Sequence, residues 1–382
     1  MVYKRSAHLL DADDGSWLNV GALLEHAAML PAIDRASYLE TIARTVRSAI
    51  GETAWEIGHK TDPPTAHDEQ SLEGRLRIFC EDIEDAGALE VSDAILAAYV
   101  AAAEAMSSLE RARVEAVRAR LAWKRGDLDV ADERYRRVAQ VARRFDSDEL
   151  RARALNGRAI LARLRGNYPA SRRYGRRAVA AAERSGLNRL ASTAHHALMV
   201  VAATAQMFDV AVAHGWQAFL RADKDASLES GALGNIGQLF LEAGHPDIAL
   251  SAFLSVLARN PADRIRLPIM GGLAMAAARL GRRDIIDMIT TEFAAVTAST
   301  AAPYDLASVA LDLSRAHQIL HGDANAEIFR ARARAIAEQF GYHEIVHHTT
   351  ESARVPDERP RMRVLTPGIE TVALEVRHLA AV

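Results

Sequence analysis

The sequence predicts an all-α protein, an α-solenoid of about seven stacked helical hairpins. Three observations support this fold class. Hydrophobic residues make up 49% of the 382 residues but aromatic residues only 5%, a composition that favours helices packed closely through small side chains. A turn recurs with a spacing of 37 to 41 residues, and a small residue follows most of these turns at a fixed distance. A regular period of this length is typical of stacked repeats.

A glycine marks six of the seven turns. The seven positions are Gly87, Gly126, Gly166, Gln206, Gly244, Gly281 and Gly322. Glycine can end the first helix of a hairpin because it adopts a positive φ without a Cβ penalty. Each position therefore predicts the turn between a first and a second helix.

A small residue stands five positions after each of the first five turns. These residues are Ser92, Ala131, Ser171, Ala211 and Ala249. A small side chain early in the second helix lets that helix approach the first. Ile286 and Glu327 occupy this place in the last two hairpins, so the sequence indicates that those two repeats are degenerate.

The turns Gly166-Asn167-Tyr168-x-x-Ser171 and Gly126-Asp127-Leu128-x-x-Ala131 resemble the tetratricopeptide repeat, as does the stretch 233–250. The resemblance covers about 71–345 and implies a right-handed solenoid whose concave groove is lined by the first helices. Such a groove would bind an extended peptide or a partner helix. The period exceeds the usual 34 residues and is similar to repeats of bacterial regulatory proteins, including those attached to transcription factors and signalling ATPases.

The sequence divides into three regions around this array. Residues 1–70 predict an N-terminal helical hairpin that starts at Trp17, followed by a linker that contains Pro63-Pro64. The repeat region spans 71–345. Residues 346–382 predict a proline-rich strap and a terminal amphipathic helix, which we expect to dock as a cap on the array.

The cysteine content and the absence of long apolar stretches predict a cytoplasmic protein. Cys80 is the only cysteine, so no internal disulfide can form, and we expect it to be a small buried residue of a helix. Neither a signal-peptide core nor a window near the roughly 18 apolar residues of a membrane span is present. No phosphate-binding glycine loop or Ser-His-acid motif occurs, so no cofactor is expected.

Charge is distributed unevenly along the chain. Residues 1–110 carry 8 Lys/Arg and 20 Asp/Glu, whereas residues 111–190 carry 22 and 9. Arginine forks bind carboxylates and phosphates through two parallel hydrogen bonds. Two interpretations stay open: a basic groove for an acidic peptide or partner helix, or a solvated surface partly neutralised by the acidic N-terminal third.

The candidate partner-binding residues lie on the predicted first helices. They are Arg113, Arg120, Arg153, Asn156, Arg158, Arg163, His196 and Asn235. Nucleic acid is a weaker candidate partner, because residues 1–70 contain no recognisable helix-turn-helix and few aromatic residues alternate with the arginines.

His343, Glu344 and His347 spell the sequence H-E-x-x-H. On a helix this spacing places two imidazoles on one face beside a glutamate, as zinc metalloproteases require. The segment directly follows a repeat helix that ends at Gly341, and no third histidine follows at the expected spacing. The sequence favours a polar short helix over a zinc site.

These observations favour a non-catalytic scaffold or regulatory adaptor that binds a protein or peptide, with an acidic partner as the finer hypothesis. One alternative is a peptide-responsive signalling or transcription regulator without a DNA-binding domain of its own. A zinc hydrolase using the H-E-x-x-H residues is the alternative from another class.

Overall fold

The computed structural model describes residues 107–259, 261, 263–296, 303–320, 322–351 and 362–380, with isolated positions between 89 and 100. The predicted N-terminal hairpin, the linker before residue 71, Cys80 and the Gly87 turn lie outside the described residues. The described part contains fourteen α-helices and no strand, as the all-α prediction requires. None of its helices is both long enough and apolar enough to cross a lipid bilayer.

The chain forms two compact units, Met1–Ala170 and Ser171–Val382. The first unit contains α1 (Ser108–Lys124), α2 (Leu128–Arg144) and α3 (Asp148–Leu164), and α4 (Tyr168–Ser185) begins at its end. The helices of the second unit are α5 (Asn188–Thr204), α6 (Phe208–Leu220), α7 (Ala226–Glu242), α8 (Pro246–Leu257), α9 (Asp263–Arg279), α10 (Arg283–Val296), α11 (Pro303–Ile319), α12 (Asp323–Phe340), α13 (His343–Glu351) and α14 (Pro367–Leu379).

The predicted turns share one backbone geometry. The φ angle is positive at each of these turns: +93° at Gly126, +73° at Gly166, +84° at Gly244 and +72° at Gly281. Gln206 has a φ of +56°, although it is not a glycine. A repeated hydrogen bond closes these turns, with N···O distances of 2.9 Å for Asp127 to Ala122 and 2.7 Å for Asn167 to Ala162. Such a bond satisfies a carbonyl that the helix end leaves unpaired.

Gly322 differs from the other turn positions, because it has a φ of −97° and stands immediately before α12. The same closing hydrogen bond is present, from Gly322 N to His317 O at 2.8 Å, so Gly322 takes the place that Asp127 and Asn167 have in the earlier turns.

Small residues bring neighbouring helices together. Ala131, Ser171, Ala211 and Ala249 are completely buried, as the predicted spacing requires. Gly157 of α3 lies under the ring of Tyr135 from α2, so that a Cβ at Gly157 would stand 2.0 Å from the Tyr135 Cζ atom. The aromatic ring fills the space that the missing side chain leaves.

The terminal helix α14 forms as predicted, but it lies against α6 and α8 rather than on the last hairpin. Its apolar stripe of Ile369, Val372, Ala373 and Val376 is buried there. The preceding strap contributes a backbone hydrogen bond from Arg363 N to Ala243 O, with an N···O distance of 2.9 Å. The helix therefore buries its apolar stripe against second helices within its own unit.

Candidate functional site

The first unit carries two of the predicted groove arginines on facing first helices. The Arg113 Nε atom lies 3.0 Å from one Glu149 carboxylate oxygen, and the Arg153 Nε atom lies 2.9 Å from the other. Burial of Glu149 acts to raise the pKa of its carboxyl, but the charges and hydrogen bonds of Arg153 and Arg113 outweigh it and hold the pKa below its usual value. One carboxylate thus joins α1 to α3, and each of its oxygens accepts a hydrogen bond from the Nε atom of one arginine.

Arg158 occupies a different place from the one predicted. Its Nε atom lies 3.4 Å from an Asp132 oxygen of α2, and Arg165 approaches the same carboxylate at 3.7 Å. Residues two apart on a helix differ by about 200° in direction, so Arg158 cannot share the face of Asn156. Arg158 therefore joins α3 to α2 and does not line the first-helix face.

Asn156 has the most unusual environment of the predicted residues in the first unit. Its Oδ1 atom is buried and accepts no hydrogen bond from any group in the described part of the chain. A buried carbonyl oxygen without a donor costs about 1–3 kcal/mol. A ligand N–H could satisfy it.

Arg120 and Arg163 are half-buried on α1 and α3.

The acidic N-terminal third supplies part of the neutralising charge. Asp93 lies 2.7 Å from Arg118 and 3.3 Å from Arg125. Carboxylates inside the Arg-rich region supply the rest, as in the 2.6 Å contact between Arg134 and Glu115. Acids within residues 111–190 thus neutralise part of the arginine cluster, in addition to the acidic N-terminal third that the second interpretation named.

The second unit presents a row of equivalent positions on four consecutive first helices. His196, Gly271 and Asp312 stand ten residues before their turns, and Asn235 stands nine before its own. The Asn235 Nδ2 atom lies 3.3 Å from the His196 Nε2 atom. A Cβ at Gly271 would lie 2.5 Å from an Asp312 carboxylate oxygen, so these positions touch across α9 and α11.

Asp312 contributes a carboxylate to this row, and this carboxylate forms only a long ion pair. Its nearest charged partner is Arg315, at 3.7 Å. Burial raises the pKa of Asp312 to about 6, and the charge of Arg315 opposes that rise. A hydrogen-bond donor or a cation supplied by a ligand would stabilise the charged form of this buried carboxylate. Asn235 is exposed and His196 half-buried, so amide, imidazole and carboxyl groups are all reachable along one face.

His195 lies about 100° around α5 from His196 and contacts His214 of α6. The two Nδ1 atoms are 3.1 Å apart, and His195 is only 6% exposed. Burial, followed by the charges of His214 and Arg221, lowers the pKa of His195 to about 4. The pair is a neutral part of the core between α5 and α6.

The H-E-x-x-H residues form a helix of nine residues, α13. His343 and His347 are both exposed, and Glu344 lies 4.0 Å from His348. Within the described residues, no group of three or more His, Cys, Asp or Glu side chains could hold a metal ion. The motif thus has two histidines on one helix and no third ligand in that part of the chain, where catalytic zinc sites use three.

No protein-family model and no curated protein matches the chain, but solved structures do. The first is a signal transduction ATPase with numerous domains and a tetratricopeptide repeat sensor, from Pyrococcus horikoshii. It is 11% identical, with a TM-score of 0.53 over 87% of this chain and 54% of its own. The chain has a tetratricopeptide-repeat-like fold. It spans about half the length of that ATPase.

Two further solved structures match the chain at lower scores. A Rap protein complexed with competence and sporulation factor is 13% identical, with a TM-score of 0.47 over 88% of this chain and 95% of its own. The apo form of the quorum sensor NprR from B. thuringiensis is 12% identical, with a TM-score of 0.45 over 83% and 98%. At these identities the likeness concerns the fold alone.

The tetratricopeptide register also identifies residues that the sequence interpretation missed. Asp312 and Gly271 share the register of His196, and counting ten residues back from each turn would have found both. The sequence interpretation did not include Glu149 and Asp132, the acids that contact Arg113 and Arg158 from a neighbouring helix. The interacting pairs could have been found by comparing residues one repeat apart.

Proposed function

We propose that this chain is a non-catalytic scaffold or regulatory adaptor that binds a protein or peptide along its first helices. The row of His196, Asn235, Gly271 and Asp312 carries the proposal. It offers hydrogen-bond donors and acceptors at one level of four adjacent helices, and the missing side chain of Gly271 makes the space that the Asp312 carboxylate occupies. An extended peptide backbone presents alternating donors and acceptors that such a row can pair with.

The first unit supports the same use of the first-helix face. The Asn156 Oδ1 atom accepts no hydrogen bond from the described residues, and Glu149 and Arg153 lie on the same helix, while Arg113 reaches Glu149 from α1. A peptide N–H bound at Asn156 would remove a buried unsatisfied acceptor. The groove arginines favour an acidic partner less than their number indicates, because Glu149 already occupies two of them.

A sensing role is a second candidate within the same class. The tetratricopeptide part of the similar ATPase is described as a sensor. Each repeat of such an array contacts only its neighbours, so a bound ligand can change the superhelical pitch. A peptide-responsive regulator would show a ligand-dependent change in small-angle scattering, whereas a rigid adaptor would not. A cytoplasmic location stays a prediction based on the single cysteine.

Site-specific photo-crosslinking tests the binding proposal. A photo-reactive residue replaces Gln238, which is exposed on the first helix α7, or Thr291, which is exposed on the second helix α10. In an extract of the source cells, we expect the partner to crosslink at position 238 and not at 291. Mass spectrometry then identifies the partner.

The affinity of the identified partner is then measured for Asn235→Ala and for Thr291→Ala as the matched control. Losing the carboxamide contacts should weaken binding about tenfold, while the control stays near wild type. Equal crosslinking at both sites, or an affinity that Asn235→Ala leaves unchanged, would contradict the proposal.

A further inference from the structure

The outer face of α4 concentrates unneutralised positive charge. Arg172, Arg173, Arg176 and Arg177 are all exposed there, while the opposite face of the helix is buried. None of the four forms an ion pair with a carboxylate of the described residues. Glu183, the only acid of α4, is bound instead by Arg221 at 3.1 Å. This basic face of α4 therefore carries four charges and no counterion from the described part of the chain.

The second helix of the preceding hairpin, α2, has acids at two of the equivalent positions. Positions 132 and 133 of α2 correspond to 172 and 173 of α4, one period later. In α2 they are Asp132 and Glu133, which pair with Arg136 and Arg137 four residues on. In α4 both acids are replaced by arginine, and the downstream arginines are retained. The same helical surface is neutral in one repeat and carries four positive charges in the next.

Four like charges on one helix face oppose folding. Arg172 with Arg176, and Arg173 with Arg177, are like-charge pairs four residues apart, each of which destabilises a helix by about 0.2–0.5 kcal/mol. The contacts they do make involve no acid. The Arg172 guanidinium lies 3.5 Å from the Met207 sulfur, and the Arg173 guanidinium lies 5.5 Å from the Tyr174 ring centre. These contacts hold two of the side chains along the surface.

We propose that the basic face of α4 is a docking surface for an acidic helical segment of a partner protein. Arginines four residues apart stand about 6 Å apart along the helix axis. Glutamates four residues apart on a partner helix have the same spacing, so two pairs of carboxylates can meet two pairs of guanidinium groups. Each guanidinium can then form the two-point contact that an arginine fork makes with a carboxylate.

The geometry favours a protein helix over other polyanions. The charge extends over little more than one helical turn, whereas nucleic-acid binding proteins commonly use 6–10 phosphate contacts. A membrane-binding helix places large apolar side chains beside its basic residues. On α4 the exposed residue that follows the arginines is Ala180, and Tyr168, one turn before Arg172, is the single exposed large apolar side chain of this helix, so no apolar stripe accompanies the basic face. The proposal does not rest on the first-helix row, because α4 is a second helix.

A designed peptide tests this surface directly. The probe is a fluorescein-labelled alanine-based helix with glutamates in pairs four residues apart, and a second peptide carries glutamine at the same positions. Binding is followed by fluorescence anisotropy at about 0.05 M and about 0.3 M salt, which screens exposed charge pairs. The key variant, Arg172→Asp with Arg173→Glu, restores the neutral pattern of α2 and preserves helix pairing.

The matched control is Arg143→Asp with Arg144→Glu, which makes the same charge change on α2. We expect the glutamate peptide to bind wild type, to bind the α4 variant roughly tenfold more weakly, and to bind the control within about twofold. Circular dichroism confirms that both variants fold.

Several outcomes would overturn the proposal. They are no binding of the glutamate peptide at low salt, equal binding of the glutamine peptide, or the same loss in both variants. Tighter binding to duplex DNA or to vesicles containing phosphatidylserine would assign the face to a different partner class. A loss confined to the α4 variant, with Asn235→Ala unaffected, separates this surface from the first-helix row.

Discussion

Acidification should weaken the contact between α5 and α6 through the buried histidine pair. His195 has a pKa of about 4 in the folded chain against 6.5 for an ordinary histidine. The folded state therefore favours neutral His195, and the unfolded state binds more protons between these two values. The stabilisation is fully present above about pH 6.5 and is lost as the pH falls toward about 4.

The size of the effect follows from the two pKa values. Between about pH 7 and pH 5, the linkage amounts to roughly 2 kcal/mol for His195 alone. His214 acts in the same direction, because burial and then the charge of Arg176 lower its pKa as well. Arg221 is the other charged group that faces the pair. The positive charges of Arg176 and Arg221 both disfavour protonation of the histidine pair, so neither arginine stabilises a charged imidazole.

Amide hydrogen exchange is the suitable assay, because repeat arrays can open locally. The opening free energies of α5 and α6 are compared at about pH 7 and about pH 5 for wild type and His195→Gln, after correction for intrinsic exchange rates. The variant should lose roughly 2 kcal/mol less than wild type on acidification. His378→Gln, at an exposed histidine of α14, is the matched control. An equal loss in wild type and His195→Gln would refute the reasoning.

Three further predictions concern the turns and the contacts between helices. Gln206 has a φ of +56°, so Gln206→Gly should stabilise α5 and α6 by up to about 1 kcal/mol in urea unfolding, and a destabilised protein would contradict the turn assignment. Gly157→Ala should destabilise the first unit by about 1–3 kcal/mol, because the new methyl group meets the Tyr135 ring, and Tyr135→Leu should recover part of that loss. Glu149→Gln should lower the stability of α1 and α3 by about 1 kcal/mol at low salt, with a smaller difference at high salt; a difference that salt leaves unchanged would show that the bridge is not electrostatic.

The sequence was sufficient for the fold, because the turn and the small residue after it are local requirements. The positive φ at Gly126 and Gly166 follows from the need to end a helix, whatever the neighbouring repeats contain. Gln206 could be assigned only through the period, since its own side chain disfavours that conformation. The prediction for the last turn was wrong in detail, because Gly322 stands at the start of α12 instead of ending α11.

The face on which each residue lies was less well predicted, although the information was present. Asn156 and Arg158 were assigned to the same groove, but the helical repeat separates them by about 200°. The position of α14 could not be derived from the sequence. Its apolar stripe predicts that the helix packs against another apolar surface. Only the three-dimensional structure shows that this surface belongs to α6 and α8.

Charge counted along the sequence gives an incomplete picture of charge in a stacked repeat. Arg113 and Glu149 are 36 residues apart, as are Arg165 and Asp129, so the period itself brings each pair together. The excess of arginine between residues 111 and 190 is therefore neutralised across repeats wherever an acid stands one repeat away. At Arg172 and Arg173 the repeat before carries the acids and α4 does not. The place to look for a partner's charge is consequently the repeat position at which the internal counterion is missing, and not the stretch with the largest net charge.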